Sequence, residues 1–147
     1  GVEWTWGSGD RSTANALAAI VRRHADDLAS GRVVLHIGFD LDVLAGMPDS
    51  SLDWVYLDTT HERVHTLAEL ELLRHKVRPG GHITGDDWRS DPGHRHHGVA
   101  QAVRAFVEEH GYDLVHASDA DQQWVIRLPG TGRVVHRDAI ATSQSGT

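Results

Sequence analysis

The stretch from Ser51 to Trp88, SLDWVYLDTTHERVHTLAELELLRHKVRPGGHITGDDW, narrows the folds open to this chain. An apolar run, Trp54-Val55-Tyr56-Leu57, ends at Asp58. A helical pattern of acidic and apolar residues follows from His61 to about His75. The turn signal Arg78-Pro79-Gly80-Gly81 leads into His82-Ile83-Thr84, which stops at Gly85-Asp86-Asp87. Period and punctuation together read as strand, helix, strand. A crossover of this length joins parallel strands. Asp58 and the Asp86-Asp87 pair therefore fall just past the carboxyl ends of two neighbouring strands, the edge where open α/β sheets bind ligands. Three carboxylates and His61 are expected to converge on one rim.

The rest of the chain continues the alternation. Val2 to Trp6 reads as a short strand and Gly7-Ser8-Gly9-Asp10 as a turn. Ser12 or Thr13 can cap a helix running through Ser30, with Leu17, Ile20, Val21 and Leu28 in its apolar stripe. A strand is expected over Arg32 to Ile37 and a short helix over Asp40 to Ala45. A polar loop spans Arg89 to His97, and a helix follows from Gly98 to His110. Strands at 112–117 and 122–128, joined by a short turn, must be antiparallel. The expected class is α/β: a Rossmann-like, mostly parallel sheet with helices on both faces and a C-terminal antiparallel hairpin. Residues 1–128 form the expected domain, and 129–147, holding Gly, Ser and Thr with little apolar matter, an unpacked tail.

Composition removes several function classes. With 147 residues the chain has the size of one ordinary domain. A net charge of -7 and scattered basic residues argue against a nucleic-acid surface. The absence of cysteine excludes disulfides and thiolate metal sites. No run approaches membrane-spanning length and no signal peptide is visible, so a soluble, cytoplasmic protein without a membrane partner is expected.

Several segments taken together resemble a known family. These are Leu52 to His61, Val77-Arg78-Pro79-Gly80-Gly81, Gly85-Asp86-Asp87-Trp88, and Gly98-Val99 at the start of a helix. They resemble class I S-adenosylmethionine-dependent methyltransferases, nearest to the branch with D-x-x-H after strand four and G-D-D after strand five. That branch includes metal-dependent sugar O-methyltransferases of antibiotic biosynthesis. The resemblance covers residues 33 to 128. It implies S-adenosyl-L-methionine and Mg²⁺ or Mn²⁺ as cofactors, and a hydroxylated small molecule, sugar or polyketide-like, as acceptor. Glu3 matches the acid that binds the cofactor ribose. Gly38, Phe39 and Asp40 close strand three; Phe39 stands where many relatives carry an acid, and Asp40 takes that role. Only one helix separates residues 1–6 from the next strand, so residues 1–6 read as strand two. On that reading the chain lacks the first β-α unit and its glycine-rich loop.

The residues themselves suit the implied chemistry. Asp58, Asp86 and Asp87 offer oxygen ligands to a hard cation. Three carboxylates at adjacent strand ends repel one another without such a charge. His61, at the start of a helix, is placed to take the acceptor's proton, with Asp58 beside it. Asp58 alone reads equally as a strand-end cap, and His61 as a helix-start residue. The HRHH cluster at 94–97 is a solvated loop or a lid over the acceptor. Trp88 suits either the wall of the acceptor pocket or the core; Trp4, Trp6, Trp54 and Trp124 suit the core. His65, His75 and His82 read as surface or packing residues. The competing function is a truncated, inactive Rossmann-type binding or dimerisation module, and a homo-oligomer is compatible with either. A metal-dependent hydrolase is a third use of the same acids. The missing glycine-rich loop favours the inactive module, and the intact acidic rim favours the enzyme.

Overall fold

A computed structural model of the chain describes residues 10–130. The strand expected at 2–6, Glu3, and the segment beyond 130 lie outside the described residues. The described residues divide into two compact units, separated between Gly38 and Phe39.

In the first unit, α1 (Asp10–Arg23) and α2 (Ala25–Ala29) replace one continuous helix, with a turn at His24. The strand expected at Arg32 to Ile37 does not form, and the segment pairs with no strand among the described residues. Its start is held locally instead. The Val33 N–H donates to the carbonyl of Asp27 at 3.1 Å, and the Arg32 guanidinium binds the Asp27 carboxylate. Val34 and Ile37 are left 67% and 79% exposed.

The second unit runs α3 (Asp40–Gly46), β1 (Leu52–Leu57), α4 (Arg63–Lys76), β2 (Val77–Gly85), α5 (His97–His110), β3 (Asp113–Ala117) and β4 (Trp124–Arg127). The sheet order is β1-β2-β4-β3. As expected, β1 and β2 are parallel and β3 and β4 antiparallel. The antiparallel pair β2–β4 completes the sheet. The α/β class holds, but among the described residues one strand pair of the three is parallel, because the segment at 32–37 contributes none.

The Arg78-Pro79-Gly80-Gly81 turn is absorbed into β2 as a bulge. Leu52 pairs with Val77, yet Trp54 already pairs with His82. Gly80 takes φ 77°, which only glycine adopts freely. Beyond the bulge the ladder runs cleanly to Leu57 opposite Gly85.

One sheet face carries the core. Ile83 lies between Val55 and Ile126, and Gly85 between Leu57 and Trp124. These residues form a cluster with Leu70 and Leu73 of α4 and Val99, Ala102, Val103 and Phe106 of α5. Each large apolar side chain buried there contributes about 1.5–3 kcal/mol. The other face bears Trp54, 62% exposed, and Tyr56, which corrects the core assignment of Trp54. The helix α5 ends as its sequence dictates, at Gly111 with φ 65°. Among the described residues no helix is long and apolar enough to cross a membrane.

Candidate functional site

The β1–β2 pairing brings Asp58 and Asp86-Asp87 to one edge. The Asp86 N–H donates to the Leu57 carbonyl at 3.0 Å and carries the pairing one residue past both strands. One carboxylate oxygen from each of Asp58, Asp86 and Asp87 lies within 4.8 Å of the others. Asp58 is exposed, and the other two are half-buried.

Asp86 is fixed from several sides. Its Oδ1 accepts from Gln123 Nε2 at 2.9 Å and from the Asp87 N–H at 2.8 Å. Its carbonyl accepts from the Trp124 indole at 3.0 Å. Asp87 and His61 both adopt left-handed backbone, with φ 59° and 61°. Such geometry costs about 1–2 kcal/mol outside glycine, and this kind of strain concentrates at functional sites. It turns both side chains toward each other: His61 Nε2 lies 2.8 Å from Asp87 Oδ2 and 3.3 Å from Asp58 Oδ1. His61 precedes α4 by two residues rather than lying within it.

His96 completes the group. Its Nδ1 lies 2.7 Å from Asp87 Oδ1, and its ring stacks on His61 with centroids 4.4 Å apart. Asp87 is thus clasped by two imidazoles, one on each oxygen. By its sequence alone, His96 falls in a solvated loop or lid. The signal was available: a loop leaving Asp87 and feeding a helix packed on α4 must pass the same rim. Trp88, 3% exposed with Arg104 over its ring, belongs to the core and not to a pocket wall.

The loop carrying Asp58 and His61 is tied down from below. The Thr59 hydroxyl donates to Glu69 Oε2 at 2.9 Å. Glu69 is fully buried on α4, and that burial pushes its carboxyl up to about 7. A small cavity of about 10 Å³ lies between Asp58, His61, Asp86 and Glu69. His65 is not a free surface residue: its Nε2 lies 2.7 Å from Asp40 Oδ2. Burial works against a charged imidazole there, but the Asp40 carboxylate outweighs it and raises His65. Burial likewise works against the Asp40 carboxylate, yet the hydrogen bonds from His65 and the Leu41 N–H hold it low. Of the residues matched to the cofactor, Phe39 precedes α3 and is 55% exposed, Gly38 is exposed before it, and Asp40 opens the helix facing His65.

Gly98 seats α5 against this loop. An added Cβ would stand 2.8 Å from the Arg63 nitrogen and 2.9 Å from the His61 carbonyl oxygen, both backbone. Gly98→Ala is expected to cost about 1–3 kcal/mol and to part His61 from Asp87. Denaturant unfolding and the His61 imidazole NMR shifts check this; unchanged shifts would show that the loop yields without moving the site.

The sequence profile of a family described as Methyltransferase domain matches residues 5–88. No curated protein matches. A candidate exported protein from Bordetella parapertussis superposes with a TM-score of 0.54 at 16% identity, over 79% of this chain and 51% of that one. A candidate O-methyltransferase from Klebsiella pneumoniae superposes with a TM-score of 0.49 at 18% identity, over 77% of this chain and 57% of that one. The chain thus spans about half the length of these structures, and the likeness to the Bordetella protein is one of fold.

Proposed function

Because this chain belongs to the methyltransferase domain family, we propose that it serves S-adenosyl-L-methionine-dependent O-methylation of a hydroxylated small molecule, sugar or polyketide-like. A divalent ion, Mg²⁺ or Mn²⁺, assists at the rim. The observation that carries this reading is the convergence of Asp58, Asp86 and Asp87, with ligand oxygens within 4.8 Å of one another at the ends of a parallel strand pair. An all-oxygen donor set of this kind fits a hard cation.

When bound, the cofactor supplies an electrophilic methyl carbon and the ion lowers the pKa of the acceptor hydroxyl. The chain's own residues position and accept a proton. His61 takes the acceptor's proton on Nδ1 as the oxygen–methyl bond forms and the methyl–sulfonium bond breaks. Its Nε2 carries the N–H toward Asp87 at 2.8 Å and Asp58 at 3.3 Å, and these carboxylates orient the ring and favour the imidazolium that results. His96 holds Asp87 from its other oxygen, and Gln123 and Trp124 keep Asp86 in place. Glu3, Gly38, Phe39 and Asp40 are the residues that the resemblance assigns to the cofactor.

The test is thermal melting with and without Mg²⁺, an ion that imidazole nitrogen suits poorly. The folded chain gains about 2.7 kcal/mol when the ion stands at a hundred times its Kd. Asp58→Asn should abolish the gain without harming the metal-free fold, and Asp86→Asn or Asp87→Asn should weaken it. His61→Ala should keep the gain, since its role is proton removal. A wild-type melting temperature that ignores millimolar Mg²⁺ would sink the metal assignment, and loss of the response in His61→Ala would make His61 a ligand.

A further inference from the structure

A second cluster lies behind the rim; it shares Asp40 with the cofactor assignment, and the proposed methyl transfer uses neither His65 nor Glu69. Asp40 opens α3; His65 and Glu69 sit four residues apart on one face of α4. His65 Nε2 is 2.7 Å from Asp40 Oδ2 and 3.9 Å from Glu69 Oε1. One ligand atom from each lies within 4.8 Å of the other two.

Glu69 is the anomaly that points to a ligand. Its side chain is wholly buried, and Thr59 satisfies only Oε2. The Oε1 accepts no hydrogen bond; it faces His65 at 3.9 Å and the Asp40 carboxylate, to which Glu69 can donate only when protonated. Buried carboxylate oxygens are paired, protonated or bound to a cation, because leaving one bare in the interior is costly. His65 and Asp40 keep 25% and 30% of their side chains exposed, so an ion and its water can reach the cluster from solvent.

We propose that Asp40, His65 and Glu69 form a cation site for a divalent transition ion of the Zn²⁺ or Co²⁺ type, with a water completing its shell. One imidazole nitrogen and two carboxylate oxygens favour such ions over Mg²⁺. Two carboxylates with a neutral imidazole match a charge of two. Bond lengths of about 2.0–2.2 Å are reached by small side-chain shifts from the present spacings. The ion takes the unsatisfied Glu69 oxygen, and Glu69 in turn fixes Thr59, next to Asp58. The site stands apart from the rim, where Asp87 belongs both to the carboxylate trio with Asp58 and Asp86 and to a trio with His61 and His96.

Cobalt titration of the full chain, followed by visible absorption, tests it. Asp87→Asn removes the ligand shared by the two rim trios, Asp58-Asp86-Asp87 and His61-Asp87-His96, and should retain the Co²⁺ bands. Glu69→Gln keeps the side chain's size and its acceptor for Thr59, so it should fold, yet bind Co²⁺ at least tenfold more weakly. His65→Ala should do the same. Co²⁺ binding that survives both Glu69→Gln and His65→Ala lies elsewhere, for instance among the other histidines, and overturns the proposal. A wild-type chain showing no Co²⁺ bands overturns it too, and leaves Glu69 Oε1 as a protonated acid donating to Asp40.

Discussion

Gly85→Ala is expected to lower stability by about 3 kcal/mol and the melting temperature by about 10 °C. An added Cβ at Gly85 would stand 2.4 Å from Trp124 Cζ2 and 2.8 Å from the Leu57 carbonyl oxygen. Neither neighbour can retreat. Trp124 is 1% exposed, and the Leu57 carbonyl accepts the Asp86 N–H. The same displacement would move Asp86, so Mg²⁺-linked stabilisation should fall with stability. A double-mutant cycle with Trp124→Leu isolates the contact: removing the indole opens room for the new methyl, and the two losses should be clearly less than additive. A Gly85→Ala chain within about 0.5 kcal/mol of wild type, the range of ordinary surface substitutions, would show that the sheet accommodates a side chain there.

In the presence of a chelator, wild type should lose stability as pH rises, and Glu69→Gln should not share that loss. Burial raises the Glu69 carboxyl from 4.5 to about 7, against the opposing bond from Thr59. A raised folded-state pKa means that the folded chain binds the extra proton between those two values. The stabilisation is therefore complete below about 4.5 and is lost as pH climbs through about 7. The shift corresponds to as much as about 3 kcal/mol. The amide introduced by Glu69→Gln cannot ionise, so the difference between the two chains isolates this group from Asp40 and His65, which titrate beside it. Above pH 7 the Glu69→Gln chain should be the more stable one. Parallel stability curves for the two chains from pH 4.5 to about 7 would mean that Glu69 ionises normally inside the fold.

Local patterns settled the elements whose sequence and packing agree. The alternation from Leu52 to Gly85 marks two strands and a crossover helix, and chain connectivity then forces the strands parallel and their acidic ends together. The convergence of Asp58, Asp86 and Asp87 follows from that alone, because a strand's end is fixed by where its apolar run stops. Gly111 and the short turn after Ala117 likewise marked the end of α5 and the closing hairpin. Other features were decided only by contacts between segments distant in sequence. The apolar run at 33–37 looks like a strand, but a strand exists only when a partner ladder accepts it, and here the Val33 N–H is spent on Asp27. Arg78 to Gly81 looks like a turn, yet neighbouring strands carry it as a bulge. His96 lies nine residues from Asp87 in a loop whose composition suggests only solvent, and left-handed backbone at Asp87 and His61 is what brings the three together. Glu69 belongs to a plain helical pattern, and only the packing around it removes water, leaves one oxygen bare and raises its pKa. Sequence period records which face of an element is apolar. The environment of a single polar atom depends on what the rest of the chain places around it, and that is set in three dimensions.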